Sequence, residues 1–435
     1  MNIRSIVKSL IPRQLFRRIE PVGHLGEAVI ANVRFGFPAK KLRFIGVTGT
    51  NGKTTTSFFI YTMLHNAGIK VGLLSTVAHG VNGEVTLRKE HMTTSDAFTL
   101  QRQLKEFAAA GVEWVVLETS SHALAQHRVW GVPYEIAVLT NLTHDHLEYH
   151  GTFERYLQAK RSLFVMANKH GMRHGVVNAE DPNAERFLES VDNSTTFGMK
   201  KGDVRASDIH LTANGSTYTA KAGKDKYAMK LQIPGEFNVS NSLAAIAVGR
   251  RLGLSVSQIE KGVAALESVE GRMKPIREGQ QFNVIVDFAS TPDGYEKFFS
   301  SMRPLVSGKL VALFGSAGER DASKRPKQGA IAGKYADEVI LTEEDDRSEN
   351  GADILNEIAA GVEAEGKVRG KDLFIIPNRE EAIGFAMTRA SKKADTVVLL
   401  GKGHEPTIER PDGEYLWNES EVARTALQEL RRRRK

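Results

Sequence analysis

The stretch GVTGTNGKTTT at positions 46–56 leaves little choice of local fold. It follows the apolar run Leu42, Phe44, Ile45 and precedes SFFIYTMLHNAG, whose apolar residues recur at helical spacing. A strand, a glycine loop and a helix in that order form a cradle for a triphosphate. Glycine lets backbone N–H groups close around phosphate oxygens at the helix N-terminus. Gly49 and Gly52 supply that freedom, with Thr50 and Asn51 between them. Lys53 reaches the β and γ phosphates, and the hydroxyl of Thr54, followed by Thr55, suits Mg²⁺. The strict pattern departs at one place, where Val47 stands at a usual glycine and Gly46 comes one position early. The motif predicts nucleotide cleavage and leaves open what receives the phosphoryl group.

At 435 residues the chain is long enough for two or three domains. An apolar content of 41% and a charged content of 26% are those of an ordinary globular protein. With no cysteine, disulfides and thiolate metal sites are excluded, and a reducing cytoplasm is the expected location. The sequence shows neither a long uninterrupted apolar run nor a signal-peptide h-region. The net charge of +7 resides at the ends: Arg4, Lys8, Arg13, Arg17 and Arg18 give five positive charges, Arg431 to Lys435 five more, and the body is near −3. This argues against a nucleic-acid face. Ile3, Ile6, Val7, Leu10 and Ile11 before Pro12, then Leu15, Phe16 and Ile19, read as a basic amphipathic helix. Such a helix packs on its own protein or rests on an anionic membrane or another subunit.

From residue 43 to 270, short apolar strands (KLRFIGVTG, KVGLLST, WVVLETS, EIAVLTNL, HGVVNAED) alternate with helical stretches, which predicts a mostly parallel sheet. Residues 205–233 carry two-residue alternation and an Asn-Gly turn, the pattern of hairpins. A second α/β series over 271–435 contains NVIVDFA, KLVALFGSAG, EVILTEE, DLFIIPN and TVVLLGKG. Its polar residues directly follow the apolar runs, at the strand ends where open parallel sheets bind ligands. Glu118 and His146 each come just beyond a strand of the first sheet and could converge near the γ phosphate as a metal site. The histidines at 144, 146 and 150 taken alone suggest a hydrogen-bonded loop, and Lys160 taken alone reads as solvated surface.

The motifs GVTGTNGKTTT, LETSSHALAQHRV, TNLTHDHLEYHGT with a lysine on the following helix, PGEFNVSNSLAAIA, GRM, VDFASTPD, FGSAGERDASKRP and GKGHE occur in this order. Together they resemble the Mur ligases, most of all the tripeptide-synthetase branch. The resemblance implies an α/β architecture with a P-loop central ATPase domain over 43–270 and a C-terminal Rossmann-like domain over 271–435, after a short basic helical segment over 1–42. It also implies transfer of the γ phosphate of ATP to a D-glutamyl carboxylate of a muramoyl-dipeptide-type acceptor, then attack by the amine of a diamino acid. Catalysis is then alignment and charge neutralisation. By the same resemblance Lys53 and Thr54 hold phosphates and one Mg²⁺, and Glu118 and His146 hold a second. Lys160 matches a carbamylated lysine that steadies this metal, and Asn141, Asn241, Arg272 and Asp287 match positions near ATP. Thr93, Thr94, Ser120, Gln126 and Arg128 match contacts to the acceptor. Arg320, Asp345, Arg347, Gly401 and Glu405 match those to the incoming amino acid.

Three departures from the family pattern carry consequences. Only 42 residues precede the phosphate-loop strand, where the family usually has a domain for the uridine nucleotide, so a nucleotide-free or lipid-linked acceptor competes with a UDP-linked one. Glu344, Asp345, Asp346, Arg347 replaces Asp-Asn-Pro-Arg, keeping the arginine that suits a distal carboxylate while adding acids that attract an amine, so diaminopimelate and lysine both stay open. Ser290 replaces a common histidine. Folylpolyglutamate-type ligation and a non-ligating nucleotide-binding subunit are the competing functions. The C-terminal motifs argue against the first, and the presence of Lys53, Glu118, His146 and Lys160 against the second.

Overall fold

The computed structural model describes residues 13–88, 92–212 and 214–433. These form two compact units: residues up to Ile209 with Thr217–Lys230 and Phe237–Leu266, and His210–Ser216 with Leu231–Glu236 and everything from Glu267 onward. The second unit's continuous part begins a few residues before the boundary read at 271. Among the described residues no helix is long and apolar enough to cross a membrane.

The first unit is built on an 11-stranded sheet. Strand β1 (Arg43–Thr48) lies between β5 (Trp114–Glu118) and β6 (Tyr134–Leu139), parallel to both. On one side β2 (Val71–Leu74) continues the parallel set, and β3 (Ala78–Val81) and β4 (Glu84–Leu87) close it as an antiparallel edge. On the other side follow β7 (His174–Asn178), β8 (Asn193–Gly198) and β9 (Val204–Thr212), all parallel. The order ends with β10 (Gly215–Ala222) and β11 (Asp225–Leu231), in the segment where the alternation predicts hairpins. Strands buried on both faces need continuous apolar runs, and β1, β5 and β6 have them. Phe44, Ile45, Val115, Val116, Ile136 and Ala137 are all fully buried.

Helices cover this sheet. Lys53–Asn66 starts directly after the phosphate loop. Ala97–Ala109 is capped by Asp96, whose side chain accepts from the Thr99 N–H at 3.0 Å. Phe153–Ala167 is capped by Thr152 and buries Tyr156, Leu157, Lys160, Leu163, Phe164 and Ala167, one stripe at helical spacing. A further helix, Arg13–Phe35, precedes the sheet. It packs its buried Ala28 and Ala31 against Ala97 and Phe98, residues outside the amphipathic stripe read from Ile3 to Ile19. The apolar positions from Ile3 to Ile11 lie outside the described residues.

In the second unit β13 (Asn283–Asp287), β14 (Leu310–Phe314), β15 (Glu338–Leu341), β16 (Leu373–Ile375) and β17 (Thr396–Leu400) form a parallel sheet. The short β12 (Lys274–Pro275) pairs antiparallel at the edge. The spatial order is β12-β13-β17-β14-β15-β16, so β17 returns between the two strands that open the series. That reversal is a topological switch point, and the carboxyl ends beside it are where such sheets take ligands. A separate hairpin joins β18 (Thr407–Arg410) to β19 (Gly413–Leu416).

Arg379 ties the strand ends of this second sheet together. Its guanidinium is fully buried and pairs with the equally buried Glu419 at 2.6 Å. It also donates to the carbonyls of Glu343 at 2.9 Å and Leu400 at 2.8 Å. Removing one partner of a buried pair strands the other charge, which costs about 3–5 kcal/mol. Arg379→Met is therefore expected to lose stability on that scale in guanidinium unfolding. A loss below about 1 kcal/mol would show that the pair is dispensable.

Candidate active site

The phosphate loop is held open by backbone geometry and laced to the end of β6. Gly49 (φ 147°) and Gly52 (φ 81°) occupy conformations that favour glycine. A Cβ on Gly49 would strike the Thr140 hydroxyl, and one on Gly52 would meet Asn241. Asn141 staples the loop: its carbonyl accepts from the Thr50 N–H at 2.8 Å, its Oδ1 accepts from the Asn51 N–H at 3.0 Å, and its Nδ2 donates to the Asn51 carbonyl at 3.1 Å. The Thr50 hydroxyl takes the Thr143 N–H at 3.0 Å and meets the Tyr156 hydroxyl at 3.0 Å. No side chain caps the helix that starts at Lys53, so its first N–H groups are available to an anion, and Thr55 is buried in the same turn. These features fit a nucleotide's phosphates.

Two lysines converge on one carbonyl. Lys53 Nζ donates to Gly49 O at 3.1 Å and to Thr50 O at 2.9 Å, and Lys160 Nζ donates to Gly49 O at 2.6 Å. Lys160 is 1% exposed and lies 4.7 Å over the Tyr156 ring. The solvated-surface reading of this residue is therefore overturned: it occupies the apolar stripe of its helix. Burial first, then the charge of Lys53, holds its ammonium well below the ordinary lysine range, against the pull of Asp145 and Glu118. A buried lysine that is readily discharged is a nucleophile for CO₂.

Glu118, 1% exposed, faces the same loop. Its Oε1 accepts from the Thr54 hydroxyl at 3.1 Å and from the Thr76 hydroxyl at 2.9 Å, and its Oε2 from the Thr76 N–H at 2.8 Å. His146 takes a left-handed backbone (φ 51°) and lies with its ring 4.7 Å from that of His122 and its Nε2 3.4 Å from Asp145. Of the other two histidines, His144 lies against Phe153, and His150 meets the Ser121 hydroxyl with its ring 5.5 Å from the same His122 ring. Among the described residues no three His, Asp or Glu side chains cluster as a metal cage. Thr54 and Glu118 touch directly, and a hydroxyl beside a carboxylate is an oxygen pair of the kind Mg²⁺ completes with phosphate and water.

The five residues matched to the acceptor assemble beside Glu118. Thr94 donates its hydroxyl to the Glu118 carbonyl at 2.9 Å and accepts from the Ser120 N–H at 3.0 Å. Arg128 donates to the Thr94 carbonyl at 2.9 Å and to Gln126 Oε1 at 2.8 Å, and the Thr93 carbonyl accepts from Arg88 at 3.2 Å.

In the second unit, Asp287 accepts from the N–H groups of Met273 and Ala289, both at 2.8 Å. Its surroundings, burial first, push its carboxyl up despite the nearby Arg272. The Arg272 guanidinium stacks 4.9 Å from the Phe288 ring, and the Ser290 carbonyl, not its hydroxyl, accepts from Lys324 and Gln328. Arg347 is bound to Glu409 at 2.8 Å and to the Gly318 carbonyl at 2.7 Å, while Arg320 is exposed. Asp345 accepts from Lys402 at 2.8 Å, and Lys402 also pairs with Glu405 at 2.8 Å. This Asp345 is committed to an internal cation, whereas Glu344 keeps a buried Oε2 without a hydrogen-bond partner beside Gly401. Sequence reasoning alone does not single out Thr76, Asp145, Tyr156 or Lys402. Thr76 carries a usable signal, because it follows the apolar run of β2 much as Glu118 follows that of β5.

Residues 47–249 match the Mur ligase middle domain, and residues 271–403 match the Mur ligase, glutamate ligase domain. The chain is 40% identical over 427 residues to a UDP-N-acetylmuramyl-tripeptide synthetase of Roseiflexus sp. (strain RS-1), covering 94% of this chain and 83% of that protein. It is 40% identical over 408 residues to a UDP-N-acetylmuramoyl-L-alanyl-D-glutamate--2,6-diaminopimelate ligase of Geobacillus kaustophilus (strain HTA426), covering 92% and 82%. A solved structure of a UDP-N-acetylmuramoyl-L-alanyl-D-glutamate--2,6-diaminopimelate ligase superposes with a TM-score of 0.67 at 32% identity, over 90% of this chain and 79% of that one. Folylpolyglutamate synthase of Mycobacterium tuberculosis, complexed with ADP, superposes with a TM-score of 0.71 over 98% of both chains, at 16% identity that shows the fold alone.

Carbamylation of Lys160 has a direct readout. With ¹³C-bicarbonate near neutral pH, the protein is expected to give a carbamate resonance that Lys160→Ala abolishes. Because the amine's pKa is lowered, the signal should persist to lower pH than an ordinary lysine allows and fade as the amine protonates. A spectrum unchanged by Lys160→Ala would remove this lysine from the metal site.

Proposed function

The chain belongs to the Mur ligase family, and on that premise we propose that it joins a diamino acid to the D-glutamyl carboxylate of a muramoyl-dipeptide-type acceptor in peptidoglycan precursor synthesis. The enzyme is an ATP-dependent, ADP-forming ligase. The observation that carries the reading is the convergence of Lys53, Lys160 and Glu118 on the phosphate loop, with Thr94, Ser120 and Arg128 hydrogen-bonded alongside. We place the reaction in the cytoplasm.

ATP supplies the phosphoryl group that converts an unreactive carboxylate into an acyl phosphate, from which an amine displaces inorganic phosphate, and Mg²⁺ neutralises the phosphate charge. Each residue then has a physical task. Lys53 and the N–H groups of Gly52 to Thr54 hold the β and γ phosphates, Asn141 and Asn241 keep the loop in shape, and Arg272 and Asp287 match residues assigned to ATP. Thr54, Glu118, His146 and a carbamate on Lys160 would hold the metals, and a carbamate would replace a repelling cation with an attracting anion. Thr93, Thr94, Ser120, Gln126 and Arg128 orient the acceptor. Arg320, Arg347, Gly401 and Glu405 serve the incoming amino acid, with a guanidinium suited to a distal carboxylate.

The test is phosphate release in a grid of acceptors and amino acids, with product masses read by mass spectrometry. The grid contains UDP-N-acetylmuramoyl-L-Ala-D-Glu, the same muropeptide without its nucleotide, meso-diaminopimelate and L-lysine. Release that requires both acceptor and amine, with a mass gain of one diamino acid, is expected. Phosphate release without an amine would instead indicate a bare nucleotidase. Arg347→Ala should raise the KM for the amino acid about tenfold or more while leaving the KM for ATP within about twofold. An unchanged amino-acid KM would place the pocket elsewhere.

A further inference from the structure

Arg347, matched to the incoming amino acid, already holds a carboxylate. Its Nε donates to Glu409 Oε2 at 2.8 Å, its Nη1 to the Gly318 carbonyl at 2.7 Å, and its backbone N–H to the Glu409 carbonyl at 3.1 Å. Glu409 lies on β18, in the hairpin that stands apart from the six-stranded sheet. This hairpin adheres to the 343–347 loop through polar contacts: the Glu409 N–H donates to Asp345 Oδ1 at 2.9 Å, and Arg410 donates to both oxygens of Glu343. Apolar anchorage is thin, because Ile408 is the one buried residue of its two strands. Arg347 and Glu319, on either side of the Gly318 contact, both take left-handed backbone at φ 54°. That conformation is unfavourable for a non-glycine residue and persists where surrounding contacts impose it, as they do at sites that change state.

We propose that Glu409 is an internal stand-in for the distal carboxylate of the incoming amino acid, which a substrate carboxylate must displace from Arg347, and that Glu409 thereby sets the selection between amino acids with and without that carboxylate. The inference rests on the ligase reading above. A guanidinium grips a ligand carboxylate best through two parallel N–H groups. Arg347 has two edges of that kind, one through Nε and one through Nη1, and each has a nitrogen engaged, by Glu409 or by Gly318. With Glu409 in place the pair is also neutral as a whole, and an arriving carboxylate meets a like charge. Exposure decides which contact yields. Glu409 is 39% exposed, so water takes up its charge on release, and an ion pair at such exposure is weak enough for a ligand to replace. Lys402 is the contrast: it is 1% exposed, pairs with both Asp345 and Glu405, and stays. A lysine substrate ends in an ammonium, so it has no use for Arg347 and is favoured by Glu409 remaining where it is.

The experiment measures KM for meso-diaminopimelate, L-lysine and ATP by phosphate release with the muropeptide acceptors above, for the unaltered chain, Glu409→Gln and Glu409→Ala, with the melting of each checked. Glu409→Gln keeps the side chain's shape and removes the competing charge. It is expected to lower the KM for diaminopimelate about fivefold, the scale of a partly exposed ion pair, with the KM for lysine unchanged or raised and that for ATP unchanged. Hydrogen exchange on the unaltered chain, with a non-hydrolysable ATP analogue and acceptor bound, gives a measure that needs no variant: backbone exchange over 405–417 should quicken with diaminopimelate and not with lysine. A KM for diaminopimelate that is unchanged or raised in both variants would make Glu409 a mere support for Arg347 and overturn the inference while the ligase reading stands. Exchange that diaminopimelate does not quicken would do the same. If the unaltered chain uses lysine alone, the variants should admit diaminopimelate, and their failure to do so overturns the inference as well. No phosphate release by the unaltered chain with either amine would overturn the ligase reading and this inference with it.

Discussion

Everything at the phosphate site depends on β1 lying parallel and in register between β5 and β6. Val47 stands opposite Glu118 on one side and Val138 on the other, so the three strands end level and their following loops share one edge. A slip of one residue in β5 would move Glu118 by about 3.3 Å and turn its side chain to the opposite face of the sheet. Thr54 and Thr76 would both lose their acceptor. Burial enforces the register, because residues on both faces of these strands are shielded from water and a slip would expose or misplace all of them.

The same edge concentrates positive charge where water cannot screen it. Lys53 and Lys160 share Gly49 O as an acceptor, which keeps their nitrogens within about 6 Å of each other and makes their mutual repulsion roughly 3 kcal/mol at an effective dielectric near 20. Either a neutral amine or a carbamate at position 160 relieves that cost. Lys53 has the flexible, partly exposed side chain and two carbonyl partners, so it is the better place for the charge. Glu118 is held by three neutral donors rather than by either lysine, which leaves its charge available to a cation that approaches the loop.

Much of this is legible in the sequence. The glycine loop, the alternation of apolar runs with helices and the polar residues after each run predict the two sheets and the edge on which the site residues gather. The rest is hidden for identifiable reasons. Lys160 looks like one lysine among many, yet it sits in phase with Tyr156, Leu157, Leu163, Phe164 and Ala167, and helical periodicity alone would put it inside. Thr76 is inconspicuous because hydroxyl residues are common at strand ends, and only the fold shows that its N–H and hydroxyl grip one carboxylate. The pairing of Asp345 with Lys402 joins residues 57 positions apart in sequence, which spacing cannot foresee.

That pairing changes what the 343–347 segment can offer a ligand. Four successive acids followed by arginine read as an open acidic lure for an amine, but the acids are not equivalent. Glu343 is gripped by Arg410 at 2.7 and 2.8 Å, and Asp345 by Lys402. Burial, reinforced by Glu343 and Asp345, pushes Asp346 up to about 6. A carboxylate already neutralised by an internal cation gains little from a second ammonium. Of the four, Glu344 alone is buried with an oxygen that lacks a hydrogen-bond partner, and it faces Gly401 at the carboxyl end of β17, beside the switch point of the sheet. An unpartnered buried carboxylate oxygen costs free energy, so Glu344 is the one acid of the four whose hydrogen bonding the fold leaves incomplete.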